Sequence, residues 1–228
     1  MPVCPAASSM WLVARLRSGS AIPAQAHRGR RPLLALPFAI VAVADPPGRD
    51  DGPVDKLLVL VNGLPGSGKS TLGAALANRL RAAFLSKDVV KEALAGCVSE
   101  IDTAHDLGGI AMDTVWALAR AVPRDVVVDS WWFRPRDLRF ARAGVEKVAP
   151  GRIVEIWCDV SAEVARARCA GRKRAALYRD EQRLAEDWDS WVRRAAPLGL
   201  GPVVTVDTSR PVDCAELANR IEQALGAR

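Results

Sequence analysis

Residues 57–72 read LLVLVNGLPGSGKSTL, and this stretch decides the fold. Leu57–Val61 is a continuous apolar run, the pattern of a strand buried on both faces. Leu72, Leu76 and Leu80 follow at i, i+4 and i+8, the stripe of a helix that lies on a sheet. Between them, Gly63-Leu64-Pro65-Gly66-Ser67-Gly68-Lys69-Ser70-Thr71 satisfies G-x-x-x-x-G-K-[S/T]. A chain of this composition meets that pattern by chance on the order of 0.002 times, before the required strand and helix are considered. The residue types follow from anion chemistry. Gly63, Gly66 and Gly68 let the main chain approach a phosphate closely. Backbone N–H groups through Ser67 and up to Ser70 and Thr71 form a nest at a helix N-terminus. Lys69 supplies a mobile cation for β- and γ-phosphates, and the Ser70 hydroxyl is a ligand for Mg²⁺.

Working outward, short apolar runs alternate with helical patterns. Strands are expected at Ala83–Ser86, Asp125–Asp129, Ile153–Cys158 and Val203–Val206. Helices are expected from about Val89, over Ile101–Ala121, Arg136–Val148 and Ala162–Cys169, and over Val212–Leu225. Such alternation predicts an α/β fold with a parallel sheet.

Composition narrows the function classes. The 228 residues are 50% hydrophobic and 25% charged, enough for one packed domain. No apolar run reaches the length of a membrane span. The five cysteines contain no C-x-x-C pair, which suits a reducing, cytoplasmic setting. With only His27 and His105, a multi-histidine metal site within one chain is excluded. The net charge of +6 is misleading. Residues 1–44 hold five arginines and no acidic residue; removing those five from 32 Lys and Arg leaves 27 basic against 26 acidic residues in 45–228. An extended nucleic-acid surface is therefore not indicated.

Residues 1–53 read as a poorly ordered basic extension and linker, and 54–228 as the folded domain. Within the extension, LLALPFAIVAVA (residues 33–44) follows Arg30-Arg31 and resembles the apolar core of an export signal. An organellar transit segment and an upstream start are the other readings of the same stretch.

Beyond the loop, Val126-Val127-Val128-Asp129 ends a strand with the carboxylate that such sites use to hold Mg²⁺, although Asp also caps turns. Asp88, at the end of the second strand, is placed to accept a hydroxyl proton or to cap a helix, roles that are compatible. Lys91, one turn on, faces an anionic part of an acceptor or solvent. Arg166, Arg168, Arg172 and Arg174 crowd the end of a helix, as a basic lid over a transferring phosphoryl group or as partners of the helix dipole. Arg168 and Arg172 are the favoured catalytic pair. Trp131-Trp132-Phe133-Arg134 follows Asp129 and either walls an acceptor pocket or covers the core.

Five segments, VNGLPGSGKST, LSKDVVKEAL, VVVDSWWFRP, IVEIWCDVSAEVARARC and GPVVTVDTSRPVD, resemble in order the P-loop small-molecule kinases. The resemblance is to the AAA-domain kinases related to zeta toxins, chloramphenicol phosphotransferase, gluconate kinase and polynucleotide 5′-kinase, over about residues 55–228. It implies a P-loop NTPase with a five-stranded parallel sheet of nucleoside-kinase type and a basic lid. It implies ATP and Mg²⁺ as cofactors, Asp88 as catalytic base, lid contacts from Arg168, Arg172 and Arg174, and Thr208 near the adenine. The substrate residues then include Lys91, Trp131, Trp132 and Arg134. Two departures stand out: Lys91 occupies the last place of a D-x-x-R pattern, and GRKRAALYRD replaces a histidine-containing lid. The expected activity is phosphoryl transfer from ATP to a small-molecule hydroxyl, in a monomer or homodimer. The alternatives are a nucleotide-sugar kinase of zeta-toxin type, a polynucleotide 5′-kinase, and an ATP-binding switch without an acceptor.

Overall fold

A computed structural model describes residues 55–97, 104–172 and 178–226. The extension at 1–53 and Arg174 lie outside the described residues, as does the Ile101 start expected for one helix.

Five strands form one parallel sheet: β1 (Leu57–Asn62), β2 (Ala83–Ser86), β3 (Val126–Asp129), β4 (Arg152–Asp159) and β5 (Val203–Asp207). Their order is β2-β3-β1-β4-β5, with Val61 beside Asp129 and Asn62 beside Trp157. The sequence predicted this parallel five-stranded sheet, and the strand positions agree to within a residue or so. The helices are α1 (Lys69–Leu80), α2 (Lys87–Gly96), α3 (Ala104–Ala121), α4 (Arg134–Val148), α5 (Ala162–Ala170), α6 (Asp180–Glu186), α7 (Trp188–Arg194) and α8 (Cys214–Gly226). None is long and apolar enough to cross a membrane.

The continuous apolar run of β1 is explained by cover on both faces. Leu57, Val59 and Val61 join Leu72, Leu76, Leu217 and Ile221, the faces of α1 and α8. Leu58 and Leu60 join Val115, Trp116, Ala119 and Ala141 from α3 and α4. Gly144 permits that second layer, because a Cβ there would stand 2.1 Å from Trp116 Cε2. A smaller cluster, Phe133, Ala165, Leu184, Trp188 and Trp191, packs α5, α6 and α7 together. By contrast β5, the edge strand, alternates exposed and buried residues.

A buried polar pair, Glu155 and Asn62, is sunk in this core. Glu155 of β4 is fully buried and accepts from Leu198 N (2.8 Å), Gly199 N (2.9 Å) and Asn62 Nδ2 (3.1 Å). Asn62 Oδ1 in turn accepts from Gly63 N (2.8 Å) and Trp132 N (3.1 Å). Glu155→Ala would orphan two buried donors, Leu198 N and Asn62 Nδ2, at about 1–3 kcal/mol each, and leave Gly199 N to solvent. We expect a loss of roughly 3 kcal/mol or more in urea unfolding, and a smaller loss for Glu155→Gln. A change below about 0.5 kcal/mol would show that the network does not hold the fold.

Candidate active site

The C-terminal ends of β1, β2 and β3 bring the site together, the edge where parallel sheets place ligands. Between β1 and α1 the chain needs left-handed backbone. Gly68, the N-cap of α1, sits at φ 87°, and Gly66 at φ 86°. A Cβ on Gly66 would come within 2.0 Å of Ala165 O, so its small size lets α5 close over the loop. The first turn of α1 contains no acidic residue, and its N-cap makes no side-chain hydrogen bond. Its N–H groups and the positive end of its dipole are thus left for an anion from outside the helix. Lys69 Nζ donates to Leu64 O at 2.8 Å across the loop. Burial lowers the Lys69 ammonium below its usual range, with Asp129 opposing the shift.

Asp129 is 3% exposed at the end of β3. Ser86 Oγ donates to its Oδ2 at 3.1 Å, and the Ser70 side chain lies near it. Burial raises the Asp129 carboxyl above the ordinary aspartate value, while Lys69 pulls it down. Ser70 and Asp129 thus adjoin as two oxygen donors, a set that fits Mg²⁺. Behind the loop, burial pushes the Cys158 thiol up to about 12, leaving it a neutral packing group.

Asp88 corrects one expectation. Ser86, not Asp88, occupies the N-cap of α2, and Asp88 lies two residues into the helix. It lines the cavity, and its charge acts on both Lys69 and Asp129. Lys91 is not a solvated charge: it is buried, with Nζ 4.9 Å from the centre of the Tyr178 ring. The Tyr178 hydroxyl donates to Asp88 O (3.1 Å) and Glu92 Oε1 (3.0 Å), tying α2 to the segment after α5.

The arginines part company. Arg172 lines the cavity and its charge reaches Lys69. Arg168 lies apart from the cavity and donates to Thr208 O (3.0 Å) and Ser209 O (3.1 Å). Thr208 is buried beside the loop, 3.8 Å from where a Cβ on Gly68 would stand, and its hydroxyl donates to Asp159 O. Arg168 therefore braces the β5–α8 connection. Arg134 also differs from expectation: it opens α4, is exposed, and directs Nε to Leu198 O (3.4 Å) outside the cavity lining.

A cavity of about 600 Å³ opens beside Asp88. Trp131 and Trp132 both line it, and both are also packing residues. Trp132 stacks on Trp116 at 6.1 Å, and Trp131 meets Trp191 edge-on at 6.0 Å. The two readings of these indoles are thus joined in one wall. Sequence reasoning missed Lys87, Arg136, Arg183 and Trp116 in this lining. Only Lys87, next to Asp88, and the helix-internal pair Gly108-Gly109 carried any signal of it.

A family profile described as an AAA domain matches residues 58–198. A search of curated protein sequences finds no match. Among solved structures, a "putative kinase" from Chloroflexus aurantiacus J-10-fl is 25% identical, covering 75% of this chain and 99% of that one, with a TM-score of 0.59. A gluconokinase from Sinorhizobium meliloti 1021 is 21% identical over 74% of this chain and 91% of its own, with a TM-score of 0.47. A shikimate kinase from Acinetobacter baumannii is 17% identical over 75% and 93%, with a TM-score of 0.45. With the family profile spanning more than half of its length, on a parallel sheet in the order 2-3-1-4-5 behind a phosphate loop, the chain belongs to the AAA-domain family of P-loop kinases.

Proposed function

We propose that the protein transfers the γ-phosphoryl group of ATP, with Mg²⁺, to a hydroxyl of a small molecule bound in the cavity beside Asp88. The observation that carries this reading is the convergence of Lys69, Asp129 and Asp88, from three separate segments, on the rim of one cavity. ATP with Mg²⁺ would supply the transferable phosphoryl group. The loop N–H groups and Lys69 bind its phosphates, with Ser70 and Asp129 as the protein ligands for the metal. Thr208, held by Asp159 and adjoined by Arg168, borders the nucleotide side.

Asp88 orients the acceptor hydroxyl and takes its proton at the carboxylate. Lys69 and Arg172 place positive charge where negative charge develops, and the aromatic wall of Trp131 and Trp132 keeps water away. A switch that cycles nucleotide without an acceptor has no use for a walled cavity at the carboxylate, so we place it second. The free thiols Cys97, Cys158, Cys169 and Cys214 fit a reducing, ATP-supplied compartment. Residues 1–53 are assigned no part in the chemistry.

Mass-spectrometric detection of phosphoryl transfer from Mg²⁺·ATP to a pooled metabolite and antibiotic panel tests this reading. Asp88→Asn should lower kcat about 10²–10⁴-fold while ATP binding is kept. Lys69→Ala should lower kcat roughly 10²-fold or more and weaken ATP binding as well. Undiminished product formation by Asp88→Asn would remove the carboxylate from the mechanism. Deleting residues 1–53 should leave kcat/KM unchanged; a loss of transfer would assign that segment to the active unit.

A further inference from the structure

Lys87 and Asp88 are consecutive on α2, so their side chains diverge by about 100° around the helix. Asp88 acts on Lys69 and Asp129, whereas Lys87 reaches the opposite wall: its Nζ lies 3.9 Å from where a Cβ on Gly108 would stand. That end of the cavity also receives Arg136 from α4 and Arg183 from α6. Besides Asp88 and Asp129, the carboxylates of Asp113, Asp137 and Asp180 line the cavity. Asp137 holds Arg136 through a two-pronged pair (2.7 and 2.8 Å) and also accepts from Phe133 N. Asp113 pairs with Lys147 at 3.6 Å. Among the described residues, neither the Lys87 ammonium nor the Arg183 guanidinium has an ion-pair partner. Burial lowers the Lys87 ammonium, Asp88 and Asp137 oppose this, and Arg136 and Arg183 add to it. The like charges of Lys87 and Arg183 repel each other until an anion joins them.

Two further observations point the same way. Trp131 Nε1, Trp132 Nε1 and Ser130 Oγ are buried in residues of the lining and have no hydrogen-bond partner. Indole N–H groups only donate, so each leaves an unmet need for an acceptor within the wall of the cavity. Gly108 and Gly109, inside α3, each cost that helix about 1 kcal/mol relative to alanine. Packing does not demand them, since a Cβ at Gly109 would meet nothing within 4 Å and one at Gly108 only Lys87 Nζ. Both line the cavity, and their effect is to keep room open beside Lys87.

We propose that the acceptor is an anion: its carboxylate or phosphate lies between Lys87 and Arg183 over Gly108, and its body rests on Trp132 and Trp116 with a hydroxyl toward Asp88. The hydroxyl end rests on the kinase reading above; the anion end rests on its own residues.

The test uses the full chain loaded with Mg²⁺ and a non-hydrolysable ATP analogue, so that the phosphate loop is filled. Tryptophan fluorescence is titrated with hydroxy acids and their amides, and with hexose phosphates and the free hexoses. One or both anionic sets should bind saturably, and which set does so separates carboxylate from phosphate. Lys87→Gln and Arg183→Gln should each weaken that binding tenfold or more with the affinity for the ATP analogue unchanged, and Gly108→Leu should block it. The same panel with Mg²⁺·ATP then reads transfer. Anion binding that needs Lys87, without transfer to any acceptor, supports the anion site and removes the kinase reading. Transfer to neutral acceptors with kcat/KM undiminished in Lys87→Gln overturns the anion site and keeps the kinase. Failure of every anion to bind, or binding indifferent to both variants, also overturns the proposal.

Discussion

Three segments of the site meet through one buried pair, Asn62 and Glu155. Asn62 ends β1 and fixes the first N–H of the phosphate loop, while the same amide oxygen receives Trp132 N from the loop after β3. Glu155, on the neighbouring strand, holds the Asn62 amide and the chain at Leu198 and Gly199 beyond α7. A buried carboxylate is costly unless its lone pairs are filled, and here three N–H donors fill them. The nucleotide loop, the aromatic wall and the end of the α6–α7 segment are thereby held in one frame. Apolar packing would not do this, because it tolerates sliding, whereas short directional bonds to an asparagine and a glutamate do not.

On this frame the site is built against local preference. The α1 N-terminus has neither a capping side chain nor an acidic first turn, so its dipole is left uncompensated. Asp129 is buried with a raised pKa, and Lys69 is buried with a lowered one. Ser86 turns its hydroxyl to Asp129 instead of capping α2. Each of these features weakens the isolated protein slightly, and each is relieved by a polyanion with its cation. The same logic extends to the far end of the cavity, where neither Lys87 nor Arg183 forms an ion pair among the described residues.

Much of the nucleotide half was legible because its signals are local. The run at Leu57–Val61, the glycines and Lys69-Ser70 lie within sixteen residues, and the strand that ends in Asp129 repeats the same grammar. The rest depends on partners far along the chain. Within IVEIWC, Glu155 reads as the polar side of a strand, and only the arrival of Leu198 and Gly199 explains its burial. Arg168 and Arg134 sit where a lid and an acceptor contact were expected. Yet the nearest acceptors were the carbonyls of Thr208 and Leu198, and the sequence holds no sign of that choice. The cap reading of Asp88, offered beside that of a base, falls because α2 starts two residues before the expected Val89, which puts Ser86 at the cap position.

The chain divides its labour by segment. The nucleotide side uses the β1–α1 loop, the end of β3 and the β5–α8 connection, all carried by family motifs. The far part of the cavity is lined from α2, α3, α4 and the α6–α7 pair, where the motifs thin out. Here Lys91 replaces the expected arginine, and its smaller, non-planar ammonium lies over Tyr178, which itself grips α2 through Asp88 O and Glu92. A guanidinium at that place could make a two-pronged grip on an acceptor; an ammonium on an aromatic face joins α2 to the segment after α5. Lys91 still lines the cavity, and Lys87, one turn back, stands where glycines on α3 leave space. Residues 91 and 178 are therefore coupled: changing Lys91 without Tyr178 would disturb the seating of α2 against the segment after α5.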